Sequence, residues 1–423
     1  MYSAPYNSQN KSKYHFLLFL ISPVAAFLYG LKNYRTKHSR KYILLFCLFY
    51  SISYIPIPNS DATRYESRIQ SIQAYTFSSY VNEIKNMYNA DAINNDAYVH
   101  TVFFILTPFT RNIIVYRLFF GFVYFSVYLA LFKAIKFTMP SVDKRFNWFI
   151  IGIIFLISFT SGINGIRWPL ALMVFLLGYF KYIKEPKLKY LLLVSSSFFI
   201  HFIAGYIVFF FFVFIITQKF YNPITSLILL VATFAFNLAI VSSIKSNIST
   251  LGDGVGDRTS GYIENNNFKE NRETHLQNLN WYVRLNRYST NYFVLIVLVV
   301  SILFDSRISK SKFVVKLEYF AILMFIASFL SAQLLDSLSN RFYLSANAAG
   351  LIYLYFLYEE NKQSRLVNSL RIIYIPIALL QVAIIMRADL YTMSPNLIFG
   401  NVFSELFYKF EDSIQTLLTG SNV

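Results

Sequence analysis

Long apolar stretches follow one another along most of this chain, and each is about 15 to 25 residues long. A helix of that length spans the hydrocarbon core of a bilayer. Of the 423 residues, 56% are hydrophobic and only 14% are charged, which is too apolar for a soluble protein of this size. The sequence therefore predicts an all-α, polytopic membrane protein.

The apolar stretches predict about twelve transmembrane helices. They lie near residues 15–31, 41–57, 112–133, 146–161, 167–183, 188–200, 203–217, 223–244, 291–306, 313–335, 342–358 and 372–391. The apolar run from Leu191 to Ile216 is too long for one span, so two short helices are expected to meet at His201 within it. The segment 98–109 is too short to cross a bilayer, and we interpret it as a re-entrant segment.

Basic residues gather in short segments between the apolar stretches, at 32–41, 133–145, 181–189, 307–316 and 362–371. Short loops rich in Lys and Arg stay in the cytoplasm, so these segments are predicted to share that side. The formal net charge of +17 then reflects membrane topology, and no nucleic-acid partner is expected. Both termini and the long loops 58–97 and 245–290 are predicted to face outward, which in a bacterium is the periplasm or the cell surface.

The C-terminal stretch 402–418 repeats apolar residues at helical spacing and carries charged residues on its other face. This pattern predicts an amphipathic helix that lies in the outer interface of the membrane. No internal repeat or low-complexity linker divides the chain, so residues 1–423 are predicted to form a single integral membrane domain.

Arg167 stands between the end of one apolar stretch and the start of the next. A guanidinium placed in a bilayer costs about 2.5 to 3.5 kcal/mol by insertion scales, so Arg167 is expected to have a buried partner or an anionic ligand. Pro169 suits the first turn of a helix, and Asn164 and Gly165 suit the turn before it. A helix N-terminus beside a guanidinium favours a phosphate or diphosphate. The alternative is that Arg167 reaches toward lipid headgroups.

A second polar cluster, Asp61, Arg64 and Tyr65, follows the second predicted span. Asp61 and Arg64 are one helical turn apart and can pair with each other. Alternatively, Asp61 is a carboxylate at the membrane rim that takes a proton from a sugar hydroxyl. His201 can either bond to a backbone carbonyl or act in proton transfer, because imidazole titrates near neutral pH.

The outer loop 245–290 combines arginines with aromatic residues, a mixture that fits an anionic glycan or glycolipid. The residues are Arg258, Arg272, Arg284 and Arg287, with Trp281, Tyr282 and Tyr288 between them. The alternative is a solvated loop that contacts the outer leaflet. Asp336 and Arg341 bound another short outer turn, where they form either a salt bridge or a second clamp on one ligand.

Several kinds of chemistry lack their sequence signals. The five histidines are scattered without metal-ligand spacing, so no metal is expected. The chain has no phosphate-binding Gly-x-x-x-x-Gly-Lys loop, no Asp-x-Asp motif and no Gly-x-Ser-x-Gly elbow. Nucleotide-driven chemistry is therefore not expected, and no cofactor is predicted.

Three motifs together resemble those of the Wzy/EpsG group of bacterial polysaccharide polymerases. They are Asp61-Ala-Thr-Arg64-Tyr65, Asn164-Gly-Ile-Arg167-Trp-Pro-Leu-Ala171, and His201 before an apolar run, with Arg341 late in the chain. The order of spans extends the resemblance over most of the chain. Trp168 departs from it, because members usually carry Gln after the arginine.

The resemblance implies a membrane glycosyltransferase of the C type in the bacterial inner membrane. Such an enzyme joins undecaprenyl-diphosphate-linked oligosaccharides on the outer face, for O-antigen, capsule or exopolysaccharide. Arg167 and Arg341, helped by Arg284 or Arg287, are then expected to bind the diphosphate, with Asp61 or His201 on the acceptor side. The other expected binding residues are Arg64, Tyr65, Asn164, Arg258 and Asp336. Membrane lipids, a chain-length regulator and a flippase are the implied partners.

Three other functions fit parts of the sequence. An O-antigen ligase uses the same lipid-linked donor but transfers it to lipid A core. A flippase for lipid-linked oligosaccharides is a transporter, and would more often show two similar halves and charges within its spans. A membrane acyltransferase fits least well, because no His/Asp pair has a suitable spacing along the chain.

Overall fold

A computed structural model describes residues 8–34, 36–58, 60–71, 76–86, 96–138, 146–234, 280–331, 336–408 and 410–420. These residues are almost entirely helical, and one isolated β-bridge joins Tyr54 to Met393. The helices are α1 (Ser8–Ile21), α2 (Pro23–Lys32), α3 (Lys37–Ile52), α4 (Asp61–Ser71), α5 (Phe77–Asn86), α6 (Ala97–Leu106), α7 (Ile113–Lys136), α8 (Phe149–Leu156), α9 (Phe159–Asn164), α10 (Trp168–Lys184), α11 (Leu188–Ile200), α12 (Ala204–Thr217), α13 (Pro223–Phe234), α14 (Trp281–Leu303), α15 (Lys312–Ser331), α16 (Asp336–Glu360), α17 (Arg365–Leu390), α18 (Pro395–Phe399), α19 (Val402–Phe407) and α20 (Ile414–Thr419).

Four of the described helices, α7, α14, α15 and α17, are long and apolar enough to cross a membrane. Other predicted spans coincide with shorter helices or are interrupted. The first predicted span breaks between α1 and α2, where the Ser22 hydroxyl accepts the Ala25 N–H and Pro23 begins the new helix. Proline is favoured in the first turn, so it starts α2 rather than continuing α1. The all-helical class is confirmed, and the four apolar helices indicate a membrane protein.

Helix α10 lies in the centre of the bundle and is buried along most of its length, from Pro169 to Phe180. It packs against α7, α11, α12 and α15, while α15 and α16 pack along each other. A helix that is apolar on all sides is suited to such a central position. Arg167, which immediately precedes α10, is therefore held at the end of the most enclosed helix.

The basic segments lie at the other end of this helix. The 17 residues of α10 separate Arg167 from Lys184 by roughly 25 Å. Contacts between these segments include Arg40 to Phe137 and Lys184 to Thr138, and Asn361, which directly precedes the segment 362–371, donates to the Ser309 carbonyl. Arg167 and the basic segments are thus at opposite ends of the bundle, as the loop-charge pattern predicts.

The predicted break at His201 is confirmed, since α11 ends at Ile200 and α12 begins at Ala204. The segment 98–109 contains α6, a helix of 10 residues. Much of the loop 58–97 is helical, in α4 and α5, and residues 245–279 lie outside the described part of the chain.

Two boundaries predicted from the sequence are wrong. The stretch 402–418 forms two short helices, α19 and α20, instead of one. The side chains of Asn401 and Ser413 accept backbone N–H groups at the two helix starts, and such capping begins a new helix at each residue. The outer loop ends before residue 281, because α14 begins there and carries Arg284 and Arg287.

Candidate functional site

Asp96 is the buried partner of Arg167. The Arg167 Nη1 lies 2.5 Å from the Asp96 Oδ2, and only 1% of Asp96 is exposed. Asp96 stands at the N-cap of α6, yet its side chain makes no capping bond to that helix. Instead the second oxygen, Oδ1, accepts the Phe202 N–H at 3.1 Å. The carboxylate therefore ties α10 to the turn between α11 and α12, and the expectation of a buried partner for Arg167 is confirmed.

His201 lies in that turn and faces the same carboxylate. Its Nδ1 is 3.6 Å from the Asp96 Oδ1 and accepts the Ile203 N–H at 3.4 Å. Burial, together with the nearby charges of Arg341 and Arg167, lowers the pKa of His201 below its ordinary value. The imidazole is therefore neutral at physiological pH. Sequence analysis singled out His201 and Arg167 separately, and the structure brings them to one acidic group.

Arg341 joins this cluster through Trp168. Its guanidinium carbon is 5.5 Å from the centroid of the Trp168 ring, a cation–π distance. The Trp168 ring in turn contacts His201 edge to face, with centroids 5.8 Å apart. The charge of Arg341 is close enough to lower the pKa of both His201 and Asp96. Two predicted clamp residues, Arg167 and Arg341, are thus parts of one cluster.

Burial has the largest effect on Asp96 and raises the pKa of its carboxyl above the ordinary value, although Arg167 and the Phe202 N–H act in the opposite direction. Because the ion pair and the N–H bond both favour the charged form, the carboxylate depends on Arg167 to stay ionised in this buried place. A ligand that draws Arg167 away from Asp96 must therefore supply a binding free energy comparable to that of the ion pair it breaks.

Two buried hydrogen-bond donors lie beside the cluster. The Tyr65 ring lies under Arg167, with the guanidinium carbon 5.6 Å from the ring centroid. Within the described part of the chain, the Tyr65 hydroxyl and the Trp168 Nε1–H have no hydrogen-bond partner. Burial raises the pKa of Tyr65, so its hydroxyl remains a donor. Unpaired buried donors are costly, and oxygen atoms of a bound anion would pair them.

The rim pair Asp61 and Arg64 is less enclosed. The Arg64 Nη2 lies 2.5 Å from the Asp61 Oδ1, and 72% of the Arg64 side chain is exposed. This geometry agrees with the alternative in which the two residues pair with each other across one helical turn. Asp61 also acts electrostatically on the Tyr65 hydroxyl, which places it next to the buried cluster.

The turn before Arg167 is strained. Ile166 has a φ of 30°, a value that β-branched residues rarely adopt, and the Arg167 N–H donates to the Gly165 carbonyl. Such strain persists only where the surrounding structure holds it. Ile166 is buried against Tyr65 and its neighbours, which supplies that restraint. The packing thus fixes the backbone that presents the guanidinium.

Asn164 joins this turn to α4. Its Oδ1 accepts the Ala62 N–H at 3.1 Å, which is one of the free donors at the start of α4. We expect Asn164→Ala to lower the free energy of unfolding by about 1 kcal/mol, because that donor loses its acceptor. Asn164→Asp keeps an acceptor and is expected to stay close to wild type. Thermal unfolding in detergent measures both, and equal losses in the two variants would contradict this role.

The remaining predicted site residues are not joined to the cluster by a described contact. Arg258 lies outside the described residues, as do the side chains of Arg287 and Asp336. Arg284 is exposed on the first turns of α14, and its helix contacts α17 through Tyr282 and Arg387. Among the residues that the structure describes, no group of three or more His, Cys, Asp or Glu side chains could hold a metal ion.

Sequence analysis missed Asp96. Its only sequence signal is that it directly precedes an apolar run, a common place for a helix cap. The assembled cluster has two guanidinium groups, one carboxylate, one neutral imidazole and two unpaired donors, so it carries a net positive charge and suits an anion.

Searches against protein-family models, curated proteins and solved structures found no match to this chain. Fold and site define a helical membrane protein with an Arg–Asp–His cluster at one end of its bundle.

Proposed function

We propose that this protein is a polysaccharide polymerase, a membrane glycosyltransferase that joins undecaprenyl-diphosphate-linked oligosaccharide repeat units. The observation that carries the proposal is the cluster in which Arg167 pairs with the buried Asp96, His201 faces the same carboxylate, and Arg341 stacks on Trp168. The basic segments lie at the opposite end of the bundle, and such segments stay in the cytoplasm. This supports a site on the outer face of the bacterial inner membrane, where repeat units carried by lipid are joined.

The departing diphosphate needs positive charge, and the cluster supplies it. In the proposed reaction, a bond forms between the acceptor hydroxyl oxygen and the anomeric carbon of the donor chain. The bond from that carbon to the diphosphate oxygen breaks, and undecaprenyl diphosphate leaves with the electron pair. Arg167 and Arg341 bind the diphosphate, and the unpaired Tyr65 hydroxyl and Trp168 N–H donate to its oxygens. These donors are most useful as negative charge develops on the leaving group.

Asp96 positions Arg167 before the substrate arrives. Its ion pair holds the guanidinium at one place, and its bond to the Phe202 N–H fixes the carboxylate itself. A donor placed in advance requires little reorganisation when charge develops. Asp96 is therefore a positioning residue in this proposal.

His201 is the proposed base on the acceptor side, with Asp61 as the alternative at the rim. Burial and the two arginines lower the pKa of His201, which leaves the imidazole unprotonated but weakly basic. A diphosphate bound to Arg167 and Arg341 offsets their charges and makes the imidazole more basic. To act as a base, His201 gives up the long contact from the Ile203 N–H and carries its hydrogen on Nδ1, facing the Asp96 carboxylate 3.6 Å away. Its Nε2 then accepts the proton of the acceptor sugar hydroxyl as the new bond forms.

The architecture proposed for this function is GT-C-like, with about twelve crossings, the re-entrant segment 98–109 and the outer loops 58–97 and 245–290. The proposed partners are the lipid-linked donor and acceptor, membrane lipids, a chain-length regulator and a flippase. The C-terminal helices α19 and α20 expose Phe407 and Leu418, which supports a place at the outer interface.

Deletion of the gene in the native host is expected to leave single repeat units on the lipid carrier, and the wild-type gene is expected to restore the ladder of longer chains. The measurement is the size profile of lipid-linked and surface glycan. Long chains that stay on the carrier in the deletion strain would instead indicate a ligase. Repeat units confined to the inner leaflet would indicate a flippase, and an unchanged profile would exclude the protein from this pathway.

A further inference from the structure

A basic cavity lies at the end of the bundle opposite to Arg167. It has a volume of about 370 Å³, within the range of small-ligand pockets. Its lining residues come from the ends of three helices, and they are Thr138, Ile183, Lys184, Lys312, Phe313 and Lys316. The cavity therefore forms where the described residues 133–138 meet the basic segments 181–189 and 307–316.

The described lining residues supply three ammonium groups and no carboxylate. Lys312 and Lys316 are four residues apart on α15, so their charges face each other and repel. The third ammonium, of Lys184, donates to the Thr138 hydroxyl at 3.3 Å and so is directed into the same cavity.

Two described acidic residues near the lining residues in sequence have other partners. Glu185 pairs with Lys187, and Glu360 accepts hydrogen bonds from the Ser311 N–H and hydroxyl. Neither carboxylate relieves the repulsion among the three lysines, and a bound anion would relieve it.

We propose that this cavity binds a phosphate group through Lys184, Lys312, Lys316 and the Thr138 hydroxyl. Ammonium groups bind phosphate as point charges, and the start of the 20-residue helix α15 adds free N–H groups of the same sign. The phosphate belongs either to an anionic lipid headgroup or to a free phosphate. The half-exposed Phe137 beside Thr138 suits an acyl chain, and basic pockets between membrane helices are known binding places for anionic headgroups. The site does not depend on the proposed polymerase activity.

The test uses the full-length protein with Lys184→Gln, Lys312→Gln and Lys316→Gln combined. The control combines Lys37→Gln, Lys41→Gln and Lys219→Gln, which removes the same charge from exposed positions outside the cavity. The protein is first incubated with vesicles of phosphatidylglycerol and phosphatidylcholine, and native mass spectrometry then counts the phosphatidylglycerol molecules that it retains. In a second assay, inorganic phosphate is titrated into the protein in detergent. Circular dichroism checks that both variants keep their helix content.

The cavity variant is expected to bind about 10- to 100-fold more weakly than wild type, and the control is expected to bind nearly as well as wild type. Loss of phosphatidylglycerol retention alone assigns the lipid headgroup, and loss of the inorganic phosphate response assigns free phosphate. If the control variant loses as much binding affinity as the cavity variant, the effect is one of general surface charge and the proposed site is overturned. If the wild-type protein binds neither phosphatidylglycerol nor inorganic phosphate, the proposed site is also overturned.

Discussion

Arg167→Ala is expected to abolish chain extension in the native host while the protein still inserts into the membrane and accumulates. The guanidinium is the enclosed cation of the cluster, and removal of one donor to a developing negative charge typically costs about 100- to 1000-fold in rate. Arg167→Lys is expected to recover only part of the activity, because an ammonium cannot bind a diphosphate in a bidentate way. The size profile of lipid-linked glycan measures the effect in the deletion strain complemented with each variant.

Arg307→Ala is the matched control, since Arg307 is an exposed arginine at the opposite end of the bundle, where it contacts the Phe304 ring. It is expected to leave the ladder of chain lengths nearly unchanged. Arg341→Ala tests the second clamp without disturbing the ion pair of Asp96 and Arg167, and it is also expected to stop extension. A normal ladder from both Arg167→Ala and Arg341→Ala would defeat the assignment of the diphosphate site.

The largest effect on stability is expected from Asp96→Ala. This change leaves the Arg167 guanidinium without its buried partner and the Phe202 N–H without its acceptor. Breaking a buried ion pair by removal of one member costs about 3 to 5 kcal/mol, so the midpoint of thermal unfolding is expected to fall clearly. Asp61→Ala, which breaks an exposed pair, is expected to cost less than about 1 kcal/mol.

A double-mutant cycle separates the ion pair from the effects of each single change. Asp96→Ala combined with Arg167→Ala removes both charges, so it is expected to be less destabilising than the sum of the two single variants. Thermal unfolding in one detergent supplies all four values. Additive losses, or an Asp96→Ala variant as stable as Asp61→Ala, would show that Asp96 and Arg167 do not support each other.

The sequence was sufficient to predict the all-helical class and the need for a partner at Arg167, because both follow from local pattern and solvation. The break at His201 was predicted from the length of the apolar run. Asp96 was not found, since it is 71 residues from Arg167 in sequence, and periodicity does not tell which helix ends meet. The packing of α6 and α10 against α11 brings them together.

Two errors arose where the sequence pattern did not show where a helix starts. The apolar repeat at 402–418 has the spacing of one helix, but Asn401 and Ser413 each begin a separate short helix. Arg284 was placed in a loop because polar residues precede the apolar run of α14. The structure extends the helix back to Trp281, so the arginine stands on a helical face instead.

The most direct test of the proposed reaction is an assay with the purified protein in proteoliposomes that contain the host's undecaprenyl-diphosphate-linked repeat unit. We predict products that grow by one repeat unit at a time and an equimolar release of undecaprenyl diphosphate, both lost in Arg167→Ala. An active preparation from the host membrane serves as the positive control for the substrate. If that control extends the chains and the purified wild-type protein forms no glycosidic bond, the polymerase assignment is contradicted.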